Sequence, residues 1–352
     1  MEYKLECPGF FLRTETCAGP ASRIDDEVLA PDRQCLALEG LSPAAAARLL
    51  GLVEEQLTAA GRNVQPVLSP DLPGEPEALL VEGRLLILPE ALLCSPDARA
   101  AARKLPLALP HPDREALAQA ALLRPHRDRL LHQGRLYLLT GAAAREECRQ
   151  ALLTDIDPRK IRRLGERLIA QEFPRKEGHG TGREGWLTAI GAAGPLIAGT
   201  LPEHWRILRL EDPYSVFAPE LLSQLAAAAR ELRLEHRICR CPLSPDGAIE
   251  HLFLPELRLG FVTSNHFHTF SQEPERVINA RRFVSAGTLR REKSLLLDRK
   301  RLQRQSLTAA ARSFGEAGRF SREADSLLLA APADLSGALA AVLEELHRSG
   351  DL

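Results

Sequence analysis

Lysine is scarce in this 352-residue chain: only six of its 46 basic residues are lysine. Together with the abundance of Ala, Leu and Gly, this reads as codon bias and carries no functional weight. Aromatic residues amount to 5%, too few to interleave with basic residues as base-stacking platforms do. Seven cysteines, Cys7, Cys17, Cys35, Cys94, Cys148, Cys239 and Cys241, are odd in number and scattered, which excludes a disulfide framework and suits reduced thiols. No run approaches the roughly 18 apolar residues that span a bilayer. The start, Met1 to Phe11, has no basic region followed by an apolar stretch. A cytoplasmic protein with no membrane partner is expected. The net charge of −1 excludes a globally basic nucleic-acid binder. GxSxG, HExxH and CxxC are all missing, and with them the usual signatures of hydrolases, zinc proteases and redox dithiols. Gly191 to Gly194 lacks a third glycine and reads as a turn.

What is present is an ordinary soluble composition, 45% hydrophobic and 26% charged. At roughly 150 residues per domain the length suggests two domains. An internal repeat agrees. One copy opens with Cys35 to Leu38, then Glu39-Gly40 and a helical pattern from Pro43 to Ala60; the other opens with Ile207 to Leu210, then Glu211-Asp212 and a pattern from Pro219 to Leu234. Proline stands in the first turn of each, where a missing N–H costs nothing. Leu49, Leu50, Val53 and Leu57 in one copy, and Leu221, Leu222, Leu225 and Leu232 in the other, recur at helical spacing. Short strand-like stretches, Val64 to Leu68 and His236 to Cys239, lead into the same tripeptide, Ser69-Pro70-Asp71 and Ser244-Pro245-Asp246. Paired apolar runs follow, and each copy closes on a helix preceded by aspartate, Asp157 to Phe173 and Asp334 to His347. The landmarks recur at offsets of about 172 to 177 residues, which points to duplication of an α/β unit with a mainly parallel sheet. The segments Pro112 to Leu139, broken by Pro125 and Gly134, and Pro274 to Phe320 read as helical additions.

A buried strand feeding a turn and a helix is where P-loop proteins place their phosphate loop. In order and repetition of these elements, and in Cys239 to Asp246 followed by Leu254-Pro255-Glu256-Leu257, the chain resembles uncharacterised bacterial ATPase-like proteins built from two tandem P-loop domains. The resemblance runs from about Cys35 to the C-terminus. It implies a first unit over residues 1–175, a linker over 176–184 and a second unit over 185–352. It also implies a GxxxxGK[ST] loop after each first strand, with ATP and magnesium as cofactors.

Both loops depart from that pattern. The first reads Glu39, Gly40, Leu41, Ser42, Pro43 and then alanines, with Ala46 and Ala47 where Lys and Ser/Thr belong; the second runs from Glu211 and Asp212 through Ser215 to Ala218 and Pro219 at those positions. Without lysine and hydroxyl, no cation or metal ligand awaits a triphosphate, and Glu211 and Asp212 would repel it. Tyr214, Val216 and Phe217 stand where glycine would let the backbone approach. Glu90 is the one carboxylate near the end of a strand where a magnesium-associated aspartate would sit.

Two further constellations bear on function. Ser264 to His268 follows the last strand of the second copy, at an edge where α/β sheets bind ligands, so His266 and His268 are candidates for binding or catalysis; a polar loop is the other reading. Cys239-Arg240-Cys241 near His236 and His251 lacks a second cysteine pair and reads as buried thiols. From Arg276 to Arg322 there are thirteen Arg or Lys against three Asp or Glu, a basic helix facing either its own acidic body, a protein, or nucleic acid.

The reading that follows is a non-catalytic, pseudo-ATPase protein with degenerate phosphate loops, no cofactor and no metal, acting as a scaffold or regulatory interaction protein. An ATPase or phosphotransferase using unconventional residues, such as arginines of the 276–322 segment, is the alternative. Nucleic-acid binding through that segment is a third.

Overall fold

The computed structural model describes residues 11–72, 74–107, 114–191, 194–197, 204–244, 247–264, 272–328 and 335–350. The chain is mixed α/β. Its elements in order are β1 (Arg13–Thr16), β2 (Gly19–Ser22), α1 (Ile24–Val28), β3 (Gln34–Glu39), α2 (Pro43–Ala59), β4 (Val64–Leu68), β5 (Pro76–Val81), β6 (Leu85–Pro89), α3 (Pro96–Ala101), β7 (Arg103–Pro106), α4 (Arg114–Leu153) and α5 (Pro158–Glu172). There follow β8 (Gly182–Gly185), β9 (Thr188–Gly191), β10 (Gly194–Ile197), β11 (Arg206–Glu211), α6 (Ala218–Glu231), β12 (His236–Arg240), β13 (Ile249–Leu254), β14 (Leu259–Ser264), β15 (Arg276–Asn279), α7 (Ala286–Arg291), α8 (Lys293–Leu328) and α9 (Ser336–Arg348). Strand β8 lies within the stretch expected to be a linker.

The larger sheets have the orders β4-β5-β6-β3-β7 and β15-β11-β14-β13-β12-β8. With the first order reversed, β7-β3-β6-β5-β4 and β15-β11-β14-β13-β12 follow one connection pattern. In each, the strand that opens the repeat, β3 or β11, lies one in from the edge and is parallel to both neighbours, while the next two strands form antiparallel pairs. In both sheets together parallel pairs outnumber antiparallel ones. Alternation along β3 sends Leu36 and Leu38 to one face, against Leu49, Leu50 and Val53 of α2, and Cys35 and Ala37 to the other, against Ile24, Val28 and Ala98.

The halves exchange their closing helices. Ile161, Leu164 and Leu168 of α5 join the core around Leu221, Leu222 and Leu225 of α6. Leu335, together with Ala338, Val342 and Leu346 of α9, joins the core around α2. The exchange is bridged by α4 and α8, which run antiparallel side by side: His126 stacks on Phe320 at 5.6 Å, and Arg299 pairs with Glu147 farther along.

Two expectations are corrected here. Pro125 and Gly134 do not break α4, which is continuous through both. Pro125 is exposed, as is Ala121, so water serves the carbonyl that the missing N–H frees. Gly134 is a packing residue: a Cβ there would lie 2.5 Å from Phe314 Cε1. The segment expected to be helical from Pro274 begins instead with β15, whose Val277 and Ile278 extend the sheet beside β11.

Candidate functional site

The turns after β3 and β11 hold the residues that the sequence marks as vestigial phosphate-loop positions. After β11, Ser215 adopts φ +55° and the chain curls so that the first amides of α6 converge. Asp212 fills the resulting hollow. Its Oδ1 accepts the Val216 N–H at 3.0 Å, and its Oδ2 accepts those of Phe217 and Ala218, both at 2.8 Å. These are groups that an α-helix leaves without partners at its start. Asp212 is 2% exposed; burial pushes its carboxyl up, while the three amides and the Arg145 guanidinium pull it back.

Arg145 comes from α4, in the other half of the chain. It donates through Nε to Ser215 Oγ at 3.1 Å and through Nη1 to Cys241 Sγ at 2.6 Å. Burial pushes the Cys241 thiol up to about 12 against the pull of Arg145. Phe217, fully buried, stacks on Phe283 at 4.7 Å. A small pocket of about 30 Å3 remains by the turn, bordered by Arg145, Ser215, Cys241 and Gln303, with room for about one water. Pro219 lies at the start of α6 and borders an open groove with Arg149 and Ile156.

The first turn is completed differently. Gly40 has φ +82°, and a Cβ on it would lie 3.3 Å from the Leu107 carbonyl oxygen. Ser42 caps α2 by accepting the Ala45 N–H at 3.3 Å. Asp325, from α8, accepts the Ala44 N–H at 3.3 Å and a bond from the Ser42 hydroxyl. Ala46 and Ala47 are buried and line a cavity beside them. Each helix start therefore carries a carboxylate, from its own turn in the second half and from α8 in the first.

The carboxylates at the strand ends are also engaged. Lys104 of β7 reaches Glu90 at 2.6 Å and Glu39 at 3.3 Å. Glu211 pairs with Arg209 at 3.2 Å and accepts from the Asn279 amide at 2.8 Å. His266 and His268 lie outside the described residues. Cys239 and Cys241 are buried, His236 Nδ1 lies 2.8 Å from the Leu234 carbonyl, and His251 Nδ1 faces the Thr263 amide at 3.2 Å. Among the described residues no group of His, Cys, Asp and Glu could hold a metal, and no helix is long and apolar enough to cross a membrane.

Arginines of the 276–322 segment are candidates to reach the second turn: Arg281 and Lys293 border a pocket with Glu211, Pro213 and Tyr214, and the arginine that hydrogen-bonds to the turn is Arg145. Arg145 and Asp325 have one legible signal. Each is a charge on an inward helical face, Arg145 seven residues from both Leu138 and Leu152, and Asp325 eleven from Phe314. A charge at such a position needs a partner, but nothing local names it.

Comparison with protein-family models, with curated proteins and with solved structures gives no match.

Proposed function

We propose that this protein is a non-catalytic relative of tandem P-loop proteins, in which internal carboxylates take the place of nucleotide phosphates and the molecule serves as a scaffold or regulatory interaction protein. The observation that carries this reading is Asp212 on the amides of Val216, Phe217 and Ala218. An anion bound there would have to expel a buried carboxylate hydrogen-bonded three times, with Ala218 and Pro219 where the lysine and hydroxyl would repay the exchange. Ala46, Ala47 and Asp325 make the same argument in the first half.

The outer face of the α4/α8 pair supports the interaction reading. Leu122, Leu136 and Leu139 of α4 are 72%, 51% and 51% exposed, and at 100° per residue they lie opposite the buried row Gly134, Leu138 and Gly141. On α8, Arg301, Arg304, Arg312 and Arg319 form a matching exposed row and have no carboxylate partner among the described residues. Exposed leucines on the outer side of α4 suit an apolar protein surface, and the arginines on the outer side of α8 suit an acidic one.

Calorimetric titration with Mg·ATP, and phosphate release under the same conditions, test the non-catalytic reading. The expected result is no saturable binding and no turnover above buffer. Micromolar binding with turnover that Glu90→Gln abolishes would overturn it. The arginine row also favours a second reading, nucleic-acid binding: retardation of DNA or RNA at low salt that fades steeply with added salt would support it, and no retardation removes it.

A further inference from the structure

A cavity of about 410 Å3 opens at the carboxyl edge of the first sheet, between β1, the start of α2, the turn after β4 and the inner faces of α4 and α8. Much of its wall is apolar, with Leu41, Ala46, Ala47, Leu131 and Phe314. Sites that enclose small organic molecules span roughly 300–1,000 Å3, and the carboxyl ends of parallel strands are where open α/β sheets bind ligands.

One corner of this cavity is short of a cation. Arg13 donates through Nε to Glu77 Oε2 and through Nη2 to Asp71 Oδ2, each at 3.0 Å. One guanidinium thus serves two carboxylates. Glu77 is 7% exposed, and its Oε1 has no hydrogen-bond partner among the described residues. A buried carboxylate so placed is costly, and burial, opposed by Arg13, pushes its carboxyl up to about 7. The remaining cations of the wall do not fill the deficit. Arg135 is held by Glu15 at 2.9 Å; Arg127 pairs with Asp128 and also pulls on the Asp325 carboxyl, and Arg322 borders the cavity on the α8 side, beside Gly318.

We propose that this cavity binds a small organic cation, a primary amine or amidine on a compact apolar or aromatic body, with its charged nitrogen donating to Glu77. The nitrogen supplies the second cation that Glu77 and Asp71 share too little of, and the body packs on Leu41, Ala46, Ala47, Leu131 and Phe314. Such a ligand touches α2, α4 and α8 together, so its occupancy stabilises the seating of the helix pair on the first sheet. The inference goes beyond the non-catalytic reading and stands apart from Asp212, which lies in the other half.

The full chain is titrated at pH 8 with benzamidine and with tyramine, by calorimetry and by thermal melting, with benzamide as the neutral control. Saturable one-to-one binding of at least one amine is expected, with a raised melting temperature and no response to benzamide. Glu77→Gln is expected to weaken binding about tenfold or more, the loss of a charge-assisted contact, and Ala47→Phe to abolish it by filling the cavity. In the unmodified protein, affinity rises about tenfold or more between pH 5.5 and 8 as Glu77 ionises. The other groups facing Glu77 across the cavity are Arg13, Glu15, Asp71, Arg127, Arg135, Arg322 and Asp325; the arginines do not titrate in that range, and Asp325→Asn is expected to keep the pH dependence. No saturable binding of either amine, equal binding of benzamide, or a pH-independent affinity in the unmodified protein would each overturn the proposal, the last two without need of any variant.

Discussion

Asp325 and Ala44 are 281 residues apart in the chain, yet the carboxylate of one accepts the amide of the other at 3.3 Å at the start of α2. Arg145 reaches the opposite way, from α4 to Ser215 and Cys241 at the turn before α6. Each half thus completes the first turn of the other through its own long helix. With α5 and α9 also exchanged between the cores, neither half owns all the groups that pack its core and complete its helix starts.

Removing the Asp212 carboxylate leaves three buried amides without acceptors. Asp212→Ala is expected to destabilise the fold by about 3 kcal/mol, at the scale of several unmet buried donors. Arg145→Ala is expected to cost a comparable amount, because it strands a buried carboxylate. The double variant should lose clearly less than the sum. Urea unfolding of the four proteins gives this coupling directly, and additive losses would count against the Arg145–Asp212 link.

At Gly134 a side chain has nowhere to go, since its Cβ would meet the Phe314 ring. Gly134→Leu is expected to cost about 2 kcal/mol by overpacking the α4/α8 seam. Phe314→Ala in the same chain should return part of that loss, although it is destabilising alone. Thermal melts of the single and double variants check the sign of the interaction.

Glu77 makes stability depend on pH in a definite direction. Its folded carboxyl, pushed up to about 7, releases its proton later than the unfolded group, whose value is about 4.3. The stabilisation linked to protonated Glu77 is whole below the unfolded value and is lost as pH rises through 7, by at most about 4 kcal/mol. The unmodified protein should therefore lose melting temperature relative to Glu77→Gln between pH 5 and pH 8. A difference that stays constant over that range would contradict the assignment.

Thiol reactivity should divide the cysteines sharply. Cys94 is exposed, whereas burial pushes Cys35 and Cys241 up to about 12 and Cys148 to about 11. Brief iodoacetamide treatment of the native protein is expected to alkylate Cys94 and spare the other three. Peptide mass spectrometry reads each site, and denaturant should expose them together.

Much of the architecture is legible in the sequence because its signals are local. Proline near the first turn and leucines at helical spacing give α2 and α6 to within three residues of their ends, and the paired apolar runs give β5, β6, β13 and β14. Strand β15 is harder to read because Arg276 and Asn279 flank just two apolar residues, and their sheet neighbour is distant in sequence. The loss of lysine and hydroxyl after β3 and β11 is also legible. That Asp212 would occupy the vacated hollow is not, since a carboxylate beside a phosphate loop reads first as repulsion.

The sequence by itself determined the mixed α/β class, the helices α2 and α6 and the absence of a GK[ST] sequence before them, because periodicity, proline placement and residue identity act over one or two turns. Tertiary structure alone decided which groups serve the vacated helix starts, which half each closing helix joins, and that Arg13 is shared by Asp71 and Glu77. Burial and electrostatic compensation depend on neighbours through space, and here the decisive neighbours lie from 4 residues away, for Asp212, to 281 away, for Asp325.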